Sequence, residues 1–250
     1  MKKKTICFIA CISLLMMVLM LPACGGGSEQ PIEEKLKVEE GWTIEEGGGF
    51  TYAFVFENTS DEVLSTARAY VSGYDAEGNK IDMGDFEGSF MSIGPLRPGE
   101  KTAIGEELSY TRDNPFDIWA ETPVSFGCEV KNALWMKECQ KPYLVIDNVE
   151  VLSTLWNGTD YYNEYSVTVR NAGEKDFDWE AAQNNTTSGS TPNILAVDRD
   201  SDGEIKGMSY MWPADETFTY PVIPAGESCT IQLSSQVDSS DSDEYLILWN

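Results

Sequence analysis

The 250-residue chain contains no histidine. That absence removes Ser-His and Cys-His nucleophilic sites, imidazole general bases and His-ligated zinc or iron together. Positive charge is scarce as well: 17 Lys and Arg stand against 42 Asp and Glu, a formal net charge of −25. A chain so acidic repels nucleic acid and anionic lipid, so neither is an expected partner. The sequence has no Gly-rich phosphate loop ahead of a helical pattern and no G-x-S-x-G elbow. Carboxylate-pair chemistry survives, because 42 acids must place some pairs close together, but no pair stands out. After residue 22 no apolar run approaches the 20 or so residues that a membrane helix needs.

What is present starts at the N-terminus. Met1-Lys2-Lys3-Lys4 precedes an apolar block, Ile6 to Leu21, broken only by Ser13 and followed by Pro22-Ala23-Cys24. A basic n-region, a short h-region and a small residue before the cut make a secretory signal peptide. The cysteine directly after the small residue resembles the lipobox of bacterial lipoproteins. That resemblance implies cleavage after Ala23, acylation of the Cys24 sulfur, and a folded part outside the cytoplasm, anchored by lipid to the bacterial cell membrane. Two acyl chains anchor far more firmly than one, each buried CH2 adding about 0.8 kcal/mol. Loss of residues 1–23 removes three lysines and no acid, which takes the net charge from −25 to −28 and leaves 227 residues, enough for two domains. Gly25-Gly26-Gly27-Ser28-Glu29-Gln30-Pro31 then reads as a flexible tether.

The remainder reads as strands. Phe50, Tyr52, Phe54 and Phe56 alternate onto one face, and Asn58-Thr59-Ser60-Asp61 stops that strand with turn formers. Val63 to Tyr74 is a second extended stretch, closed by a hairpin turn at Asp75-Ala76-Glu77-Gly78-Asn79-Lys80. Pro98-Gly99-Glu100 leads into a further strand at Thr102-Ala103-Ile104. The series then recurs: a strand from Tyr165 ends at Asn171, Ile194 to Asp198 precedes a turn at Asp202-Gly203, and Pro224-Ala225-Gly226-Glu227 leads into Ile231 and Leu233. A Ser/Thr/Asn-rich insertion, Gln183 to Pro192, lengthens the second copy. A duplicated all-β domain of about 100 residues is the economical reading.

A strand, an Asn-turn, an extended strand ending in Tyr74-Asp75-x-x-Gly78 and a later Pro98-Gly99-Glu100 resemble the small Ig-like FxLYD-type repeats of Gram-positive surface lipoproteins. The resemblance implies β-sandwiches exposed on the cell envelope and carries no shared catalytic activity. The expected organisation is a lipoprotein signal peptide over 1–23, a lipidated cysteine and linker over 24–34, and two tandem Ig-like antiparallel β-sandwich domains over 35–141 and 142–250.

Three groups of residues are candidate sites. Trp156, Tyr161, Tyr162, Tyr210 and Trp212 sit beside Asn, Asp and Gly in the manner that holds sugar rings, although large aromatics in a sandwich also serve as core. Cys128 and Cys139 flank a ten-residue stretch in a compartment that permits disulfides, so a local bridge stands beside the reading of Cys128, Cys139 and Cys229 as buried thiols. Asp198, Asp200, Asp202 and Glu204 match the D-x-D-x-D-G opening of an EF-hand calcium loop. Ser209, however, stands at the twelfth position, and Asp75-Ala76-Glu77-Gly78 occupies the same place in the first copy as a hairpin turn. No cofactor is expected beyond weak calcium at those four acids. The function expected is a non-catalytic interaction or spacer protein of the cell envelope, with an unidentified envelope protein or glycan as partner. The alternatives are a glycan, peptidoglycan or small-solute binding lipoprotein and, further off, a carboxylate-dependent hydrolase.

Overall fold

The structure, a computed structural model, describes residues 31–44, 50–81, 90–108, 123–139, 141–156, 161–184, 192–214, 219–235 and 242–249. Among the described residues it is all-β, built from antiparallel sheets with two short helices, consistent with a β-sandwich. Residues 31–250 pack as one compact unit.

In the N-terminal half, helix α1 (Ile32–Lys35) runs into β1 (Leu36–Ile44), which pairs with β2 (Phe50–Asn58), and β2 pairs with β5 (Lys101–Leu108). A second sheet joins β3 (Val63–Tyr74) to β4 (Met91–Ile93) and to β6 (Ser125–Met136). The alternation in β2 sends Tyr52, Phe54 and Phe56 inward, where they meet Leu64, Ala67 and Ile93 of the facing sheet in a closed core. Alternate residues of a strand point to opposite faces. The intervening Ala53 and Val55 are therefore on the outer side, yet they too are buried.

The C-terminal half starts at β7 (Leu144–Trp156), paired with β8 (Tyr161–Asn171), and β8 pairs with β13 (Ser228–Ser235). Strand β10 (Pro192–Arg199) lies between β11 (Ile205–Pro213) and β14 (Ser242–Trp249). These strands form one six-stranded sheet that folds over at a corner, where β11 meets β13 only through the pairs Trp212–Ser234 and Pro213–Leu233. Tyr165, Val167 and Val169 of β8 face Ile194 and Ala196 of β10 across the core inside that fold. Strand β9 (Phe177–Asp178), helix α2 (Trp179–Asn184) and strand β12 (Val222–Ile223) add Phe177, Trp179 and Ile223 to it.

The strand order β1-β2-β5 thus recurs as β7-β8-β13, and β4-β3-β6 as β11-β10-β14. Hydrogen bonds recur with it. Asn58 and Asn171 are both fully buried, and each side-chain amide donates to two backbone carbonyls: Glu62 (2.7 Å) and Leu96 (2.9 Å), against Lys175 (2.8 Å) and Ile223 (2.9 Å). The Asn58 Oδ1 accepts from the Ser60 N–H and the Asn171 Oδ1 from the Gly173 N–H, each at 3.0 Å. Gly99 and Gly226, with φ of 77° and 78°, each donate 2.8 Å bonds to those asparagines' carbonyls. Positive φ at these turns suits glycine, which has no Cβ to clash.

The four sheet layers stack. A third core, Ala53, Val55 and Ala103 from the first half with Leu195, Val197, Ile205, Met208, Leu246 and Leu248 from the second, lies between the β1-β2-β5 and β11-β10-β14 faces. Glycines inside strands permit the close approach. Gly41 and Gly207 lie directly against Ile205 and Thr51, and Gly105 lies against Met208.

A candidate functional site at the junction of the halves

The rim of the third core carries a chain of alternating charge that crosses between the halves. Lys37 Nζ donates to Glu39 Oε1 at 2.7 Å, and Arg199 Nη2 donates to Glu39 Oε2 at 2.8 Å and to Glu244 Oε2 at 2.7 Å. Lys101 Nζ reaches the other Glu244 oxygen at 2.8 Å. Hydrogen bonds from Lys37 and then Arg199 hold the Glu39 carboxyl down at about 2. Burial acts to raise the Glu244 carboxyl, but hydrogen bonds from Lys101 and Arg199 win and leave it below its ordinary range. Two further bonds join the layers at 3.0 Å each, from Thr43 Oγ1 to the Lys206 carbonyl and from Thr102 Oγ1 to the Ile247 carbonyl.

Beside this rim lies a cleft of about 240 Å³ between Pro95–Lys101 of the first half and strands β7 and β14 of the second. Leu144, Leu246 and Trp249 are among its apolar lining. Its cations are engaged: Arg97 Nη1 donates to Glu100 at 3.3 Å, Nη2 to the Lys141 carbonyl at 2.7 Å, and the guanidinium lies 4.2 Å over the Tyr143 ring. Those contacts tie the segment around Pro142 to the first half. The arrangement offers charge-neutralised joints and apolar walls.

The sequence-expected sites fall elsewhere. Cys24 lies outside the described residues. Asp200 closes a hairpin: its Oδ1 accepts from the Asp202 and Glu204 N–H groups at 3.0 Å each, and its Oδ2 pairs with Lys206 at 2.8 Å. Asp75 closes the first copy in the same way, accepting from the Glu77 and Asn79 N–H groups at 3.0 and 2.7 Å. Asp198 belongs to strand β10, and Asp202 and Glu204 are exposed in the turn. Among the described residues no three acidic or sulfur-bearing groups converge on a metal position.

The Cys128–Cys139 bridge is not formed, and all three described cysteines are free thiols. Cys128 is held within β6, which stays extended to Met136. Eight residues at about 3.3 Å each separate those two positions. Three more residues cannot return Cys139 to the 7 Å or so that a disulfide allows between Cα atoms. Burial pushes the Cys128 thiol up to about 12.

The five candidate aromatics are spread over three strands, β7, β8 and β11. Trp156 and Tyr161 are backbone partners at the ends of β7 and β8, Tyr162 is half-buried, and Tyr210 and Trp212 are exposed residues of β11. The junction itself was the residue set that motif reading missed. Its signals were present: the uninterrupted apolar run Tyr52 to Phe56, which marks a strand buried on both faces, and glycine at 41, 105 and 207 within extended stretches.

No protein-family model and no curated protein matches this chain.

Proposed function

We propose that the chain is a lipid-anchored, extracytoplasmic, non-catalytic spacer and interaction protein of the bacterial cell envelope, built from two Ig-like halves of the FxLYD type. The observation that carries this reading is the third core. Two tandem domains on a string would leave the outer faces of β2 and β10 polar, whereas here Ala53, Val55, Leu195 and Val197 are buried against one another. Such burial, with the Glu39–Arg199–Glu244–Lys101 chain at its rim, makes a stiff body of the two halves. A stiff body presents a binding face as one unit, which is what a spacer has to do. The N-terminal Leu21-Pro22-Ala23-Cys24 run supports the anchor. The test is Cys24→Ala in the native host, with membrane fractionation and labelling by a radioactive fatty acid. The wild-type chain is expected in the membrane fraction with label, and the variant uncleaved or released without it. A variant that stays in the membrane at the processed size refutes the anchor.

A further inference from the structure

The outer face of the β4-β3-β6 sheet lies at one end of the stack and carries side chains unlike those of its counterpart in the second half. Aligning the Asp75 and Asp200 hairpins places Tyr70, Ser72 and Tyr74 where the second half has Leu195, Val197 and Arg199. The latter three are covered by the β1-β2-β5 sheet. No sheet covers the former among the described residues, yet the face remains aromatic. Phe90 is 44% exposed, its ring centroid 5.9 Å from that of Tyr70. The Tyr74 ring crosses to strand β6 and rests on Gly127, where a Cβ would stand 3.1 Å from the ring. Gly127 therefore lets that ring lie low over the sheet. Arg68 lies with its guanidinium 4.2 Å over Phe90 and meets no carboxylate among the described residues, in a chain of 42 acids. Lys131 sits 5.3 Å over the Tyr70 ring and pairs with Glu129.

We propose that this face, centred on Arg68, Tyr70, Tyr74 and Phe90, binds an uncharged polysaccharide chain. The aliphatic counterpart in the second half suits another sheet, while tyrosine rings interleaved with Ser72 and an arginine suit a ligand with apolar C–H faces and many hydroxyls. Aromatic rings present apolar area with a polar tip. The guanidinium offers five N–H donors, and none of them is taken by a carboxylate among the described residues. Tyr70 and Tyr74 are four residues apart on one face of a strand, about 13 Å, a span that fits two to three consecutive sugar rings. The chain's own charge of −25 disfavours a polyanion at the same surface.

Affinity electrophoresis and titration calorimetry on the full chain in mild detergent test this. The probes are an N-acetylglucosamine hexamer and cellohexaose, with polygalacturonate as the anionic arm. Retardation by a neutral glycan is expected, weakened at least tenfold by Tyr74→Ala and by Arg68→Gln and unchanged by Trp212→Ala. Arg68 is exposed, so Arg68→Gln keeps the test decisive if Tyr74→Ala misfolds. Absence of binding to both neutral probes, wild-type affinity in Arg68→Gln, or stronger binding to polygalacturonate than to either neutral probe overturns the proposal. None of these outcomes touches the anchor, which Cys24→Ala tests separately.

Discussion

Gly41→Ala adds one methyl group where two sheets meet. An ideal Cβ at Gly41 would stand 2.1 Å from the Ile205 carbonyl oxygen and 2.5 Å from the Ile205 Cβ, whereas ordinary contact begins at 3.4 Å. Backbone has to move by roughly 1 Å, because a carbonyl has no rotamer to turn to. Two responses compete. Parting the faces would expose seven large aliphatic side chains, from Val55 to Leu248. At about 1.5–3 kcal/mol each that is roughly 10–20 kcal/mol, as large as the whole stability of a typical protein, about 5–15 kcal/mol. A local shift of β1 against β11 costs far less, about 1–3 kcal/mol for overpacking, and the backbone clash puts it near the upper end. The expected loss is therefore about 3 kcal/mol in urea unfolding followed by tryptophan fluorescence. Gly78→Ala is the control: its Cβ meets nothing within 4 Å, but its φ of 81° is left-handed, so it should lose about 1–2 kcal/mol. Gly41 has no positive φ, so its loss would report packing alone. A Gly41→Ala midpoint within error of wild type would falsify the close approach of the halves.

Acid should loosen the junction. The Glu39 carboxyl is depressed to about 2 from 4.5, so its contribution is whole above pH 4.5 and disappears as pH falls toward 2. The urea midpoint of Glu39→Gln should accordingly fall less between pH 7 and pH 3 than that of wild type, and equal falls would refute the pairing. Asn171→Ala strips the buried Ile223 carbonyl and the part-buried Lys175 carbonyl of a donor and should cost about 1–3 kcal/mol by the same unfolding assay; a loss below about 0.5 kcal/mol would count against the buried network. Because Asp200 is satisfied by its own turn and by Lys206, millimolar calcium should leave the melting temperature unchanged, and a rise in scanning calorimetry would restore the loop as a metal site.

The sequence was most legible where local chemistry decides. Val63 to Tyr74 reads as one strand because turn formers bound it at Asp61 and Asp75, and β3 has those limits. The recurring asparagine, hairpin and Pro-x-Gly-Glu or Pro-Gly-Glu signals return as matching hydrogen bonds because each is a local turn. Strand β6 was not legible. Phe126, Cys128 and Val130 alternate inward, but the pattern breaks at Asn132, whose φ is 55°, and the inward set shifts to Ala133 and Trp135, so no single period spans the strand. The junction was illegible for another reason. Ala53, Ala103 and Gly207 are too small to register as a hydrophobic face, and their smallness is what the contact uses. Arg199 and Glu244 come together from 45 residues apart, beyond any spacing rule.

The contact between the halves is heterologous, the β1-β2-β5 face of one against the β11-β10-β14 face of the other. Contacts of that kind, repeated between like units, build open-ended fibres. Here propagation is blocked by a few residues. Aligning Asn58 with Asn171 sets Ala53 and Val55 against Ser166 and Thr168, so the second unit's matching face is polar. At the other end, Tyr70 and Ser72 stand where a docking face would need Leu and Val. Ser166 and Thr168 thus cap one end of the two-member stack, and Ser166→Ala with Thr168→Val is the change that would favour further stacking through that face.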